Sequence, residues 1–474
     1  MSDKLTLSAS ERIATLLDDA SFVEIGSGVT SRNTDFSSRM QQMTPKDGVV
    51  TGYGVIDGKL VYVYSQDANV LGGSIGEMHA KKISNLYELA MKVGAPIIGL
   101  IDCAGLRLQE ATDALDAFGH LFRESTMASG VIPQITAVFG NCGGGAGILA
   151  SLSDFTFMTK NAKLFVNSPN ALAENYEDKL DTASADYLSS SSSIVDGVSE
   201  SDADVLFEIR NLVGFLPVNN EEEAVISCTD DLNRTIPGIE ALKDDARGVI
   251  QNIADDNLFV ETKKEYAKEI VTGFIRLNGV TVGVVANQVK DGDSYLSAEG
   301  ASKASGFVSF CDSFSISVLT FTNVKGFAAT VEEEKNIARE AGKLTLSFAD
   351  ATVPKVNVVL GDAFGSAYVI MNSKSIGADI VYAWPDVAIG TMDSEMAAKI
   401  IYSSDIESSA DKKTAIADAA KKIRENQANV STAARRGIVD DIIVPDATRK
   451  RVIAAFEMLA TKREDRPVKK HIAF

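Results

Sequence analysis

The sequence predicts an α/β protein built as two tandem, related halves. Three observations carry that prediction. One stretch occurs twice: residues 131–147 (VIPQITAVFGNCGGGAG) return as residues 352–368 (TVPKVNVVLGDAFGSAY). Each copy reads as an apolar strand, a turn of tiny residues and a helix start. The spacing is constant: a shift of 221 residues takes Pro133 to Pro354, Gly140 to Gly361, Gly144 to Gly365, Gly145 to Ser366 and Ala146 to Ala367. Both halves also alternate strand and helix patterns, the mark of α/β folds. A repeat of this period outranks local propensity in deciding architecture.

Residues 8–25 (SASERIATLLDDASFVEI) predict a capped amphipathic helix and then a short strand. Residues 26–46 are polar and irregular and read as a surface excursion. Alternating β-branched and aromatic residues flank Asp57-Gly58, a hairpin signal. Residues 77–93 have helical spacing, PIIGLID (96–102) is a buried strand, and residues 109–129 read as a helix leading into the first repeated stretch. The second half retraces this order. Thr51 maps to Thr272, Asp57-Gly58 to Asn278-Gly279, Lys82 to Lys303, and Asp102-Cys103-Ala104-Gly105 to Asn323-Val324-Lys325-Gly326, all at the same offset. Residues 171–193, ending in the serines 189–193, read as a mobile loop or lid. The expected domains are 1–216 and 246–474, with 217–245 as linker. Residues 395–425 read as helical and residues 447–462 as a final helix, before a basic end with Lys469, Lys470 and His471.

Composition excludes several function classes. The net charge of −19 offers no global attraction for nucleic-acid phosphates, though it permits small anionic ligands. Four cysteines with no CxxC and only three histidines argue against a metal site. The start MSDKLTLSASERI lacks a basic-then-apolar leader, and no apolar run reaches the roughly 18 residues a membrane span needs, so the expected compartment is a reducing cytoplasm.

The chemistry is expected at the repeated turns. Backbone with little side-chain cover lets a ligand approach closely. Free N–H groups at a helix start suit an oxygen that gains negative charge. The chain is therefore expected to carry two related oxyanion sites. GNCGGGAG is not a dinucleotide fingerprint, because Ile148 stands where the last glycine belongs. Cys142 has no neighbouring base, and His79 has no second ligand nearby and reads as structural or near a bound substrate. Lys81 and Lys82 read either as helix surface or as contacts for substrate phosphates.

Taken together, DGVVTGYGVIDGK, SQDANVLGGSIGEMHAKKI, KVGAPIIGLID, ASGVIPQI, EIVTGFIRLNG, VGVVANQ, ATVPKV, GADIVYAWP and RRGIVDDII span nearly the whole chain. The chain resembles the carboxyltransferase subunits of biotin-dependent acyl-CoA carboxylases and the related α-subunits of biotin-dependent acyl-CoA decarboxylases. The resemblance implies two crotonase-like domains per chain, the first holding acyl-CoA and the second the biotin of a separate biotin carboxyl carrier protein. It implies homo-oligomers, dimers or trimers of dimers, in which the first half of one chain faces the second half of another. It implies a biotin carboxylase subunit or a membrane decarboxylase subunit as further partner. By resemblance, Gly144 and Gly145 supply amides to a thioester oxygen, and Ser366 and Ala367 to the ureido oxygen of biotin. An amide from the turn after the preceding strand adds Leu106 and Phe327. Biotin itself would then take the α-proton. LAMKV (89–93) resembles a biotin attachment site, but it ends a helix, and Lys92 reads as a surface lysine.

The resemblance weakens mainly in the second half, although Ala104 and Leu106 also depart from a usual Gly-Gly-Ala. The family's Asp-Val-Pro-Gly-Phe-x-Pro-Gly is here Asn323-Val324-Lys325-Gly326-Phe327-Ala328-Ala329-Thr330, and a usual glycine is Ser366. Arg339-Glu340-Ala341-Gly342-Lys343 likewise replaces a usual Ile-Ile-Arg-His-Gly-Ala-Lys. Three functions are consistent with the sequence. The leading one is the carboxyltransferase of a propionyl- or acetyl-CoA carboxylase. The second is the α-subunit of a sodium-pumping methylmalonyl- or glutaconyl-CoA decarboxylase. The third is a non-catalytic CoA-binding assembly subunit. Val369 and Ile370 are expected near the acyl pocket.

Overall fold

The structure is a computed structural model and describes residues 6–34, 44–173 and 179–467. The chain forms two compact units, Met1–Ala224 and Val225–Phe474. The boundary falls inside the expected linker. From Val225 onward the segment packs with the second unit, where the Ile226 amide donates to the Gly279 carbonyl at 3.0 Å.

Each unit is built on an eight-stranded sheet. The first contains β1 (Val23–Ile25), β2 (Val49–Ile56), β3 (Lys59–Gln66), β4 (Ile97–Cys103), β5 (Gln134–Gly143), β6 (Phe155–Thr159), β7 (Lys163–Phe165) and β8 (Gly197–Ser199). Its order is β1-β2-β3-β4-β5-β6-β8, with β7 also on β5. The first three strands are antiparallel and the rest join in parallel. The second unit contains β9 (Phe259–Thr262), β10 (Ile270–Leu277), β11 (Val280–Asn287), β12 (Tyr295–Leu296), β13 (Ser317–Val324), β14 (Gly326–Phe327), β15 (Lys355–Phe364), β16 (Ile380–Ala383), β17 (Ile389–Gly390) and β18 (Asp441–Ile442). Its sheet runs β9-β10-β11-β13-β15-β16-β18, with β17 on β15, while β12 and β14 form a separate parallel pair. The topology is the same in both units.

The sequence explains the repeated parts. Ser8 caps helix Ala9–Leu16 and Glu11 completes the capping box. The hairpin turns take left-handed backbone at Asp57-Gly58 and Asn278-Gly279. In each, one carboxylate accepts both turn amides: Asp18 in the first unit (3.1 and 3.2 Å) and Asp255 in the second (3.3 and 2.7 Å). Behind each hairpin lies a long helix, Glu77–Val93 or Ala298–Ser313. Each helix carries a buried lysine. Lys82 donates to the Lys46 carbonyl (3.0 Å) and the Val49 carbonyl; Lys303 donates to Lys263 (2.8 Å), Tyr266 (2.7 Å) and Ile270 (2.7 Å) carbonyls. Burial lowers their pKa values, to about 8 and about 7. Lys82 is therefore a structural fastener facing the protein interior, which removes it as a contact for substrate phosphates.

Three further expectations meet the structure as follows. The serine-rich stretch is not a continuous loop: Ala185–Ser191 is a helix, capped by Ser184 and seated on buried Ala185. Residues 174–178 of the expected lid, 35–43 of the polar excursion and the basic end from residue 468 lie outside the described residues. The tail is helical at Ser394–Ile401, Ser403–Ser408, Lys412–Asn426 and Thr448–Leu459. Among the described residues no helix is long and apolar enough to cross a membrane.

Candidate active site

Both repeated turns sit at the C-terminal ends of neighbouring parallel strands. β4 and β5 slip register between Ile101 and Cys103, and β13 and β15 slip between Thr322 and Val324, the same places in the repeat. After each slip the two strands diverge into turns.

In the first unit, Gly144 has φ 61° and ψ −124°, backbone that only glycine adopts readily. A Cβ there would meet open space, so conformation, not crowding, demands glycine. Its amide donates to the Phe165 carbonyl at 2.8 Å. Gly144 therefore shapes the turn with its amide already engaged. Helix Gly145–Ser151 starts next, and the first inward bond, from Gly147 to the Gly144 carbonyl (3.1 Å), leaves the Gly145 and Ala146 amides without an intrahelical acceptor. Leu106 lies on the neighbouring turn. Ile75 donates to the Gly105 carbonyl (2.9 Å) and Arg107 to the Ile75 carbonyl (3.0 Å), so the bridge uses the groups on either side of Leu106 and leaves its amide facing away. Gly105, at φ 105°, lies close enough that a Cβ would stand 3.0 Å from the Gly143 carbonyl.

The second unit repeats this. Gly365 has φ 63° and opens helix Gly365–Ile370, with Ser366 and Ala367 in its first turn. Lys325 donates to the Ser294 carbonyl (2.7 Å) and Ala328 to the Leu296 carbonyl (2.9 Å), so Phe327 occupies the position of Leu106. The expected residues thus fall into two groups: Leu106 with Gly144 and Gly145, and Phe327 with Ser366 and Ala367. A cavity of about 540 Å³ adjoins the second turn, walled by Ser366, Tyr368, Val369, Met392, Gln427 and Arg436 among others. Among the described residues the buried Tyr368 hydroxyl has no partner, and burial raises its pKa to about 12. Val369 lines this cavity, whereas Ile370 is buried beside it. A second cavity, of about 720 Å³, adjoins the first turn at Asn141, Phe165 and Lys163.

Residues that the sequence reading aligned between the halves, but gave no role at the turns, hold those turns in place. Asp102 accepts the Asn141 amide (3.3 Å), and a Cβ on Gly140 would overlap its carboxylate. Asn323 accepts the Asp362 amide (3.1 Å), and a Cβ on Gly361 would overlap its carboxamide. The shared offset of these four positions was the available signal. Arg12 backs Asp102 at 3.7 Å while bonding Asp202 at 2.8 Å. Arg107 fixes the Leu106 turn from beneath: its guanidinium reaches Asp47 (2.6 Å), Glu110 (2.8 Å) and the Ser74 carbonyl (2.7 Å), all buried. Burial outweighs Arg107 at Asp47 and raises its carboxyl pKa.

The remaining candidates are structural. His79 is fully buried between the Asp47 carbonyl (2.9 Å) and Gln66 (3.1 Å), and burial lowers its pKa to about 3. Cys142 is buried with its thiol pKa pushed up. Lys92 is exposed and near Glu88. Among the described residues no group of three or more His, Cys, Asp or Glu could hold a metal ion.

A carboxyl transferase domain model matches residues 3–474. The chain is 40% identical to a methylmalonyl-CoA decarboxylase subunit alpha from Propionigenium modestum, over 98% of this chain and 92% of that one. It is 41% identical to a propionyl-CoA carboxylase beta chain from Roseobacter denitrificans, over 98% and 93%. Its fold matches the crystal structure of transcarboxylase 12S, described as a hexamer with methylmalonyl-coenzyme A bound, at TM-score 0.93 and 37% identity, covering 99% of this chain and 92% of that one.

Proposed function

The chain belongs to the carboxyl transferase family, and from that premise we propose how its two turns divide the reaction. It is an acyl-CoA carboxyltransferase of the propionyl-CoA carboxylase and methylmalonyl-CoA decarboxylase type, with two crotonase-like units. The first unit takes the acyl-CoA. The Gly145 and Leu106 amides hold the thioester oxygen while the α-carbon carries enolate charge, and Gly144 shapes the turn rather than donating. The second unit takes the biotin of a separate carrier protein, whose ureido group accepts or releases the carboxyl group and serves as the base. The Ser366, Ala367 and Phe327 amides hold its oxygen. The supporting observation is the duplicate set of helix-start amides, each following a glycine at positive φ.

The same residues serve both directions. Propionyl-CoA and methylmalonyl-CoA are the favoured pair, given the relatives' names. The chain works as an oligomer, a dimer or trimer of dimers, with either a biotin carboxylase or a membrane decarboxylase subunit as partner. The test is biotin-dependent decarboxylation of malonyl-CoA and methylmalonyl-CoA by the purified chain, beside Gly145→Pro. Turnover preferring methylmalonyl-CoA and lost in the variant supports the reading. Equal turnover in the variant rejects Gly145 as a donor.

A further inference from the structure

The two turns differ in where they keep their negative charge. In the first unit the carboxylate is Asp102, on β4 behind the turn, and the turn itself carries the neutral Asn141. In the second unit the types are exchanged: Asn323 stands behind and Asp362 is on the turn. Each carboxylate has a cation beside it. Asp102 faces buried Arg12 at 3.7 Å, and Asp362 faces Lys325 at 3.9 Å. Lys325 occupies the position of Ala104, directly before Gly326-Phe327, so the first turn has no counterpart to it. Both side chains of the second pair are partly exposed, 44% for Lys325 and 29% for Asp362.

We propose that Lys325 is the charge-compensating residue of the second turn, required because Asp362 stands beside a site where an oxyanion develops. When the carboxyl group leaves nitrogen as CO₂, the bonding electron pair stays on the ureido group and its charge gathers on oxygen. An uncompensated carboxylate on the same turn opposes that charge, and the repulsion grows as the negative charge moves from the departing carboxylate, where it sits in the ground state, onto the ureido oxygen. The Lys325 ammonium cancels it. A half-exposed pair of this kind adds little to folding stability, so its removal can be read in the reaction without a change in melting. A further carboxylate, Asp244, is tied to Asn323 at 3.0 Å and remains the same in every variant below.

This inference rests on the reading of Ser366, Ala367 and Phe327 as the second site's donors, so the experiment includes a control on that reading. Four variants are compared in methylmalonyl-CoA decarboxylation with free biotin: Lys325→Met, Asp362→Asn, the double variant, and Ser366→Pro. Propionyl-CoA binding by calorimetry and the thermal midpoint are measured alongside. Lys325→Met is expected to lower kcat roughly tenfold, with KM for methylmalonyl-CoA, propionyl-CoA affinity and melting unchanged. Asp362→Asn is expected to match or exceed the parent, and the double variant to recover its rate. A double variant as slow as Lys325→Met overturns compensation, since a lysine needed for its own packing or hydrogen bonds is not replaced by neutralising Asp362. Full activity in Lys325→Met with loss in Ser366→Pro also overturns it and leaves the site reading intact. Full activity in Ser366→Pro overturns the site reading and the inference with it.

Discussion

The two units share their backbone devices and differ in their side-chain devices. Both keep the slipped strand pair, the left-handed glycine before the helix, the carboxylate over the hairpin turn and the lysine that gathers carbonyls. The first unit has the buried Arg107, Asp47 and Glu110 cluster, whereas in the second Ala328 and Val331 stand where Arg107 and Glu110 would map. One link survives without the cluster. Glu110 accepts the Glu77 amide (2.6 Å) and Glu333 accepts the Ala298 amide (2.7 Å), so each long helix is capped from the same direction. After a duplication, geometry made by backbone persists, because any local sequence that keeps the fold keeps it. Charge placement is free to diverge.

Variants that break this comparison are ordered by size. Arg107→Met strands two buried carboxylates and is expected to cost about 3–5 kcal/mol, read as the urea midpoint, whereas Ala328→Met at the matching place is expected to cost far less. Lys303→Met removes the side-chain donor from the Lys263, Tyr266 and Ile270 carbonyls, of which Lys263 keeps the Tyr266 amide at 3.2 Å, and is expected to cost roughly 2–3 kcal/mol at neutral pH. Its pH dependence has a definite sign. The folded pKa of Lys303, about 7, lies below its ordinary 10.5, so the unfolded chain holds the extra proton in between. Lys303 thus adds a rise in stability from about pH 7 towards 10.5, absent from Lys303→Met; for Lys82 the rise starts near pH 8. Parallel slopes for parent and variant in urea melts would sink this.

Exchanging the turn residues sharpens the contrast. A Cβ on Gly145 would press the Phe118 ring at 2.9 Å, so Gly145→Ser is expected to cost about 1–3 kcal/mol and to slow turnover. Ser366→Gly is expected to leave the melting temperature nearly unchanged. The smallest effect concerns Asp154 and Asp379, which accept the Gln134 and Lys355 amides at 2.8 Å in matching places. Lys462 neutralises Asp379 at 2.9 Å, whereas burial raises the Asp154 pKa to about 7. A raised carboxyl pKa means stability lost as pH climbs from about 4 to 7. Asp154→Asn is therefore expected to gain under about 1 kcal/mol at pH 8 and to show no gain at pH 4. An equal effect at both pH values would exclude Asp154 ionisation as the cause.

The architecture was legible because it is written twice. The constant offset aligned hairpins, long helices and turns, and alternation marked Val49–Ile56 and Lys59–Gln66 as a hairpin without reference to any partner. The helix starts at Gly145 and Ser366 were legible as positions because the repeat aligns them, whereas Leu106 and Phe327 came into view only through the family resemblance. The Gly144 amide was not, since its acceptor is the carbonyl of Phe165, brought in by β7. Lys82 read as helix surface or as a phosphate contact because helical periodicity does not reveal that a long side chain can bury its amine among carbonyls. The serine run read as a loop by composition, yet Ser184 and Ala185 supplied a cap and a buried foot for a helix.

The lysine that gathers carbonyls has a consequence for local opening. Lys303 ties helix Ala298–Ser313 to the segment 263–270, which leads into β10, through a charge held by that segment's carbonyls. Fraying of this edge would strip the buried Lys303 nitrogen of its acceptors, so the segment and the helix should exchange their amide hydrogens together rather than piecemeal. The same holds for Lys82 and the entrance to β2. Each hairpin is thereby coupled to the helix behind it, and protection against deuterium should extend along both strands as one cooperative block.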